Sequence, residues 1–167
     1  MFPTDRLRKI IFLSLCVVFA CVLGFLENLI PLGSAIPGVK IGISNIVILA
    51  VIYFYSYKEG LACALLKSVL ITFLGGNLSS FIYSVTGGLL SALGMGAFKS
   101  LKSLSSVGVS VLGSFLHITG QIMVAFITLE SHTVFYYSPY LLTFGVLSGA
   151  LNGYLVKLLI EKLERRV

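Results

Sequence analysis

Aspartate occurs only once in this 167-residue chain, at Asp5, and charged residues of every kind make up 11% of it. A lone aspartate excludes an aspartate-rich magnesium site for diphosphate chemistry. The scarcity of charge excludes a water-soluble globule, because 57% of the residues are of the AVILMFWYC class and mean hydropathy is +1.05. There are three cysteines, Cys16, Cys21 and Cys63. All lie in apolar runs without metal-ligand spacing, so neither a disulfide framework nor a thiolate metal site is expected. Gly94-Met-Gly-Ala-Phe-Lys-Ser100 has the outline of a phosphate loop, but Phe98 stands where the glycine before the lysine is required, and the segment follows an apolar helix rather than a strand. No Ser-His-acid or Cys-His constellation is evident. The chain is therefore expected to be no enzyme, to use no cofactor or metal, and to have no energy source of its own.

What fills the chain instead is six long apolar stretches. They predict helices near 10–30, 41–57, 59–75, 78–98, 105–129 and 137–160, each long enough or nearly so to cross a bilayer. Ten of the 12 Lys and Arg fall on alternate connections: Arg6, Arg8 and Lys9; Lys58; Lys99 and Lys102; Lys157, Lys162, Arg165 and Arg166. By the positive-inside rule this puts both termini in the cytoplasm. The expected fold is an all-α integral membrane protein, a single domain over 1–167 with six transmembrane helices, multi-pass in the cell membrane. The net charge of +6 is read as topology signal and contact with anionic lipid, not as a nucleic-acid surface. Val18-Phe-Ala-Cys21 loosely resembles a lipoprotein cleavage site, but Phe19 is bulky and the apolar run continues to Ile30, so an uncleaved first span is expected.

Small residues recur every fourth position: Gly145, Gly149 and Gly153; Ser84, Gly88, Ala92 and Gly96; Ser106, Ser110 and Ser114; and, more weakly, Cys16, Ala20 and Gly24. Such stripes let helix backbones approach, either within the bundle or against a docked subunit. For docking, the first-span stripe and the Gly145–Gly149–Gly153 stripe are the candidates.

Polar groups at membrane depth need a reason. Lys67 lies near the middle of the third stretch and Glu27 near the outer end of the first, so they are expected either to pair or to bind a ligand. His117 and Gln121, one turn apart, share a helix face and read as a helix-to-helix hydrogen bonder or as the wall of a polar cavity. Asn45 and Asn77 fall on the same outer half. Pro31, Gly33, Pro37 and Gly38 break the chain before Lys40, and a loop of that kind is tolerated at membrane depth when it caps a cavity. Lys40 and Lys67 suit an anionic or carbonyl-rich ligand, and Tyr83 beside Phe81 suits a ring or a prenyl chain.

Several segments resemble one known membrane family: Glu27-Asn-Leu-Ile-Pro31, Ile36-Pro-Gly-Val-Lys-Ile-Gly-Ile-Ser-Asn-Ile-Val47, Lys58-Glu59, Phe81-Ile-Tyr-Ser-Val-Thr-Gly-Gly-Leu-Leu-Ser91 and His117-Ile-Thr-Gly-Gln121 followed by Val124-Ala125. The family is heptaprenyl diphosphate synthase component I, also named Gx transporter. Ile118 and Lys67 depart from its pattern, standing where Asn and Arg are usual. The family is similar to the substrate-binding S components of energy-coupling-factor (ECF) transporters. That resemblance implies an S-component-like bundle that binds a small vitamin-like, isoprenoid or anionic compound and borrows a coupling membrane protein and an ATPase pair. The synthase name implies instead an accessory subunit of a soluble prenyl transferase. A subunit of a membrane redox complex is a further alternative of the accessory class.

Overall fold

The computed structural model describes residues 5–28, 40, 42–74, 77–101 and 103–165. They form six helices: α1 (Arg6–Asn28), α2 (Asn45–Phe54), α3 (Tyr57–Phe73), α4 (Leu78–Ser100), α5 (Ser106–Leu129) and α6 (Val134–Glu164). No strand forms among the described residues. Four helices, α1, α4, α5 and α6, are long and apolar enough to cross a membrane. The Pro31–Gly38 breaks and Lys102 lie outside the described residues, as do Gly75 and Gly76.

Five of the six helices fall within a few residues of the hydropathy reading. The second does not. The stretch 41–57 shortens to the ten residues of α2, a length of about 15 Å, half of a hydrocarbon core. Its lost first turn is used otherwise. The N–H groups of Asn45, Ile46 and Val47 bond back to the carbonyls of Gly42, Ile43 and Ser44 at 3.0, 3.1 and 3.3 Å. These tight turns satisfy the donors that a helix start leaves open. The starts of α3, α4 and α5 are capped by side chains: Ser56, Asn77 and Ser105 accept from the N–H groups of Lys58, Ser80 and Gly108.

α2 is the buried axis of the bundle. Ile48, Leu49, Val51 and Ile52 are at most 1% exposed, and α1, α3, α4 and α6 pack on it. The remaining order around it is α1 against α3, α3 against α4, α4 against α5, and α5 against α6. The C-terminal end of α2 is held from two sides. Lys99 of α4 donates to the Ile52 carbonyl at 2.6 Å, satisfying an acceptor that the helix C-terminus leaves open. Across the turn that follows, Lys9 of α1 pairs with Glu59, which also accepts from the Ser56 hydroxyl.

The small-residue stripes mesh with one another inside the chain. A Cβ at Gly153 would lie 2.6 Å from Val107 Cα, and one at Gly149 would lie 2.9 Å from Val111 Cα, with Ser110 and Ser114 in the same contact. The Gly145–Gly149–Gly153 stripe thus faces α5 rather than an outer surface. Ser84, Gly88 and Ala92 are buried; Gly88 abuts Ala64 and Ser68 of α3, and Ser84 hydrogen-bonds Ser68. On α1, Ala20 is fully buried and Gly24 meets Ile71 and Ser44, while Cys16 is half-buried beside α2. The outward faces of α1 and α6 are instead large and apolar, with Leu15, Phe19 and Leu26 on one and Leu147, Leu151 and Leu158 on the other exposed. Surfaces of that size suit lipid tails or a membrane partner.

Pro139 sits inside α6 and leaves the Phe135 carbonyl without its usual helical donor. The Ser138 hydroxyl takes that carbonyl at 2.8 Å.

Candidate functional site

Between α1 and α2 the chain passes through the interior at Lys40 and Gly42–Ser44, and four helices each send one polar side chain to hold it. From α1, Glu27 Oε1 accepts the Gly42 N–H and, at 3.4 Å, the Ile43 N–H. From α3, Lys67 Nζ donates to Ser44 Oγ at 2.9 Å. From α5, Gln121 Oε1 accepts the Lys40 N–H at 3.0 Å. From α6, Asn152 Nδ2 donates to the Gly42 carbonyl at 3.2 Å. All of these side chains are buried. Each bond satisfies a main-chain or hydroxyl group that would be costly to leave bare in a dry interior.

Gly42 is required twice over. Its φ of +88° lies in the left-handed region, and a Cβ there would lie 2.9 Å from Asn45 Nδ2 and 3.3 Å from the His117 ring. On the opposite side of that ring is Gly87 of α4, where a Cβ would fall 3.0 Å from His117 Nδ1. The imidazole is therefore held between two glycines, which explains the glycine at 87.

The hydrogen bonds also assign the histidine's proton. The Lys40 N–H orients the Gln121 amide with its oxygen toward the loop, so Gln121 Nε2 faces His117 Nε2 at 2.9 Å as donor. His117 Nε2 must then be the acceptor, which makes the ring neutral with its hydrogen on Nδ1.

Glu27 and Lys67 do not form a direct ion pair; residues 42–44 come between them, and each grips that segment from its own side. Lys67 is within Coulombic reach of both Glu27 and Lys40. Four polar atoms around the segment are buried without a hydrogen-bond partner: Glu27 Oε2, Lys40 Nζ, Asn45 Oδ1 and His117 Nδ1. Asn45 Nδ2 does reach Ser91 of α4 at 3.5 Å.

Glu27, Lys40, Asn45, Lys67, His117 and Gln121 thus converge on one segment. Two other candidates lie elsewhere. Asn77 is an exposed helix cap, its Oδ1 accepting the Ser80 N–H at 2.7 Å. Tyr83 is buried between α4 and α5, with its phenol 3.2 Å from Thr128 Oγ1. Ile118, which stands where the family's Asn is usual, packs against Gly145. The junction also uses Gly42, Ser44, Gly87, Ser91 and Asn152, which sequence reasoning did not single out. Asn152 carried a usable signal, being a lone amide beside the α6 glycine stripe. Three apolar grooves run along α1, against α2 and α6 on one side and α3 on the other, and none of them touches Glu27, Lys67, His117 or Gln121. No group of three metal-ligating side chains forms among the described residues.

An all-helical bundle with four long apolar helices and a polar junction at its centre defines a membrane-associated helical protein. The chain belongs to the heptaprenyl diphosphate synthase component I family, whose model matches residues 16–159. No curated protein and no solved structure matches it.

Proposed function

We propose that this chain is the substrate-capturing membrane subunit of a transporter of the energy-coupling-factor type. It takes a small vitamin-like, isoprenoid or anionic molecule from outside and relies on a coupling membrane protein and an ATPase pair for energy. In this reading all six helices cross or enter the cell membrane, both termini are cytoplasmic, and the chain catalyses nothing itself. With the Lys9–Glu59 and Lys99 contacts at the inner surface, the start of α2 lies about 15 Å deep, near the bilayer midplane. Irregular backbone at that depth is tolerated only when protein surrounds it, as it surrounds residues 42–44.

The observation that carries the reading is the set of buried, unpartnered polar atoms at the junction, Glu27 Oε2, Lys40 Nζ, Asn45 Oδ1 and His117 Nδ1. A purely structural junction gains nothing from leaving such groups bare, because each costs about 1–3 kcal/mol unpaired. A ligand reaches them when the segment through Lys40 and Gly42–Ser44 lifts. That segment is held by hydrogen bonds from four separate helices.

The family description favours a second reading, a non-catalytic membrane subunit of heptaprenyl diphosphate synthase. The two separate in one preparation. The transporter reading expects a small molecule, identified by mass spectrometry, to be retained by the folded, detergent-purified protein. It also expects the rate of a soluble prenyl transferase to be unchanged by the protein. Stimulation of prenyl transfer with no retained molecule would reverse the assignment.

A further inference from the structure

The junction's charge can be counted completely. α1 contributes Glu27, the loop Lys40, α3 Lys67 and α5 a histidine already shown to be neutral. The charged residues of α4 and α6 (Lys99, Lys157, Glu161, Lys162 and Glu164) lie in the last turns of their helices or, for Lys157, about two turns from the end, and residues 29–39 and 41 carry no ionisable side chain. Two ammonium groups against one carboxylate leave one positive charge in excess. It is poorly compensated: Lys67 Nζ has only the neutral Ser44 hydroxyl, and Lys40 Nζ has no partner although Lys40 is 8% exposed. The positive end of the α2 dipole starts at the same place and adds to the excess. Beside it stand two bare acceptors, Glu27 Oε2 and Asn45 Oδ1.

Resting on the reading above, we propose that this site takes a singly charged anion, a carboxylate or similar group, on an organic molecule that also carries a hydrogen-bond donor. The anion completes Lys40 and Lys67. The donor meets Glu27 Oε2 and Asn45 Oδ1. One negative charge neutralises the site, whereas a diphosphate would invert it and a cation would double its excess. Lys40 is the residue that discriminates, because its ammonium supports nothing else.

The test uses the full chain in detergent with three probes of nearly equal shape: benzoate, benzamide and benzylammonium. Thermal unfolding is followed against concentration. Benzoate is expected to raise Tm, and benzamide to need at least about tenfold more to reach the same shift, the size of one charge-assisted hydrogen bond. Benzylammonium is expected to give no rise.

Lys40→Met should leave Tm without probe unchanged or higher, since it removes a buried charge that has no partner, and should abolish the benzoate response. Lys40→Arg should restore the response, and Lys162→Met, at an exposed position in the last turn of α6, should not alter it. Benzylammonium acting as well as benzoate, a benzoate shift that survives in Lys40→Met, no benzoate shift at all, or a Lys40→Met chain that fails to fold would each overturn the proposal. Mass spectrometry of what the purified protein retains separates this failure from that of the transport reading. A neutral or cationic molecule sinks only the anion assignment; nothing retained and no probe bound sinks both.

Discussion

Gly42 shows how much can depend on a residue that sequence reading passes over. Nothing in Lys40-Ile-Gly-Ile-Ser44 marks the glycine as special, because its reason is a φ of +88° and the nearness of His117, neither of which has a sequence signature. By contrast, the burial of Glu27, Lys67, His117 and Gln121 followed from membrane depth alone, since a polar side chain facing lipid is expensive. What the sequence did not contain was their target: they hold a segment of the same chain. Gly42→Ala should therefore lower stability by about 1–3 kcal/mol, from left-handed strain together with the contacts a methyl would make. Denaturation in detergent measures this, and an unchanged midpoint would contradict the conformation assigned here. Gln121→Leu should strand two groups at once, the Lys40 N–H and His117 Nε2, at about 1–3 kcal/mol for each. Gln121→Glu is expected to rescue only part of this, because a carboxylate still accepts from Lys40 but cannot donate to the histidine as the amide does.

Among the elements, hydropathy located α1, α3, α4, α5 and α6 to within a few residues, because apolar length is what it measures. It overextended α2. The run from Ile41 onward is apolar apart from Ser44 and Asn45, but Glu27 of α1 and Asn152 of α6 claim the backbone at 42–43, and Lys67 of α3 and Gln121 of α5 hold Ser44 Oγ and the Lys40 N–H on either side, before helix can begin there. Long-range hydrogen bonding of that kind leaves no trace in local periodicity. The small-residue stripes were legible as close-approach faces, and their alternatives of packing or docking differ only in what lies opposite. For α6 that is α5. Gly149→Ala should consequently destabilise the chain by about 1–3 kcal/mol, since the added methyl meets the Val111 backbone, which cannot give way as a side-chain tip can. Gly108→Ala on α5 is the control: its methyl would find only ordinary contacts of 3.5 Å or more, and replacing a helical glycine there should be neutral or stabilise by about 0.4–1 kcal/mol. Equal losses at the two positions would argue against the meshed α5–α6 interface.

For the whole molecule, the outstanding question is how the bundle sits across the membrane, and the cations bear on it most directly. Ten of the 12 lie on one set of connections, and the fold uses two of them, Lys9 and Lys99, to hold the same rim of the bundle at Glu59 and at the end of α2. Reversing the protein would set all ten against the translocation bias, and each cation withdrawn from an anionic cytoplasmic leaflet forgoes about 1 kcal/mol. Ser103 and His132 flank α5 and are both exposed, and its 24 residues separate them by about 36 Å, more than the thickness of the hydrocarbon core. With Cys16, Cys21 and Cys63 replaced, a single cysteine at position 132 should react in intact cells with a membrane-impermeant thiol reagent added outside, while one at position 103 should react only after the membrane is opened. The reverse pattern would turn the molecule over. The junction around Gly42 would then open toward the cytoplasm, and capture of a molecule from outside would no longer be a tenable function.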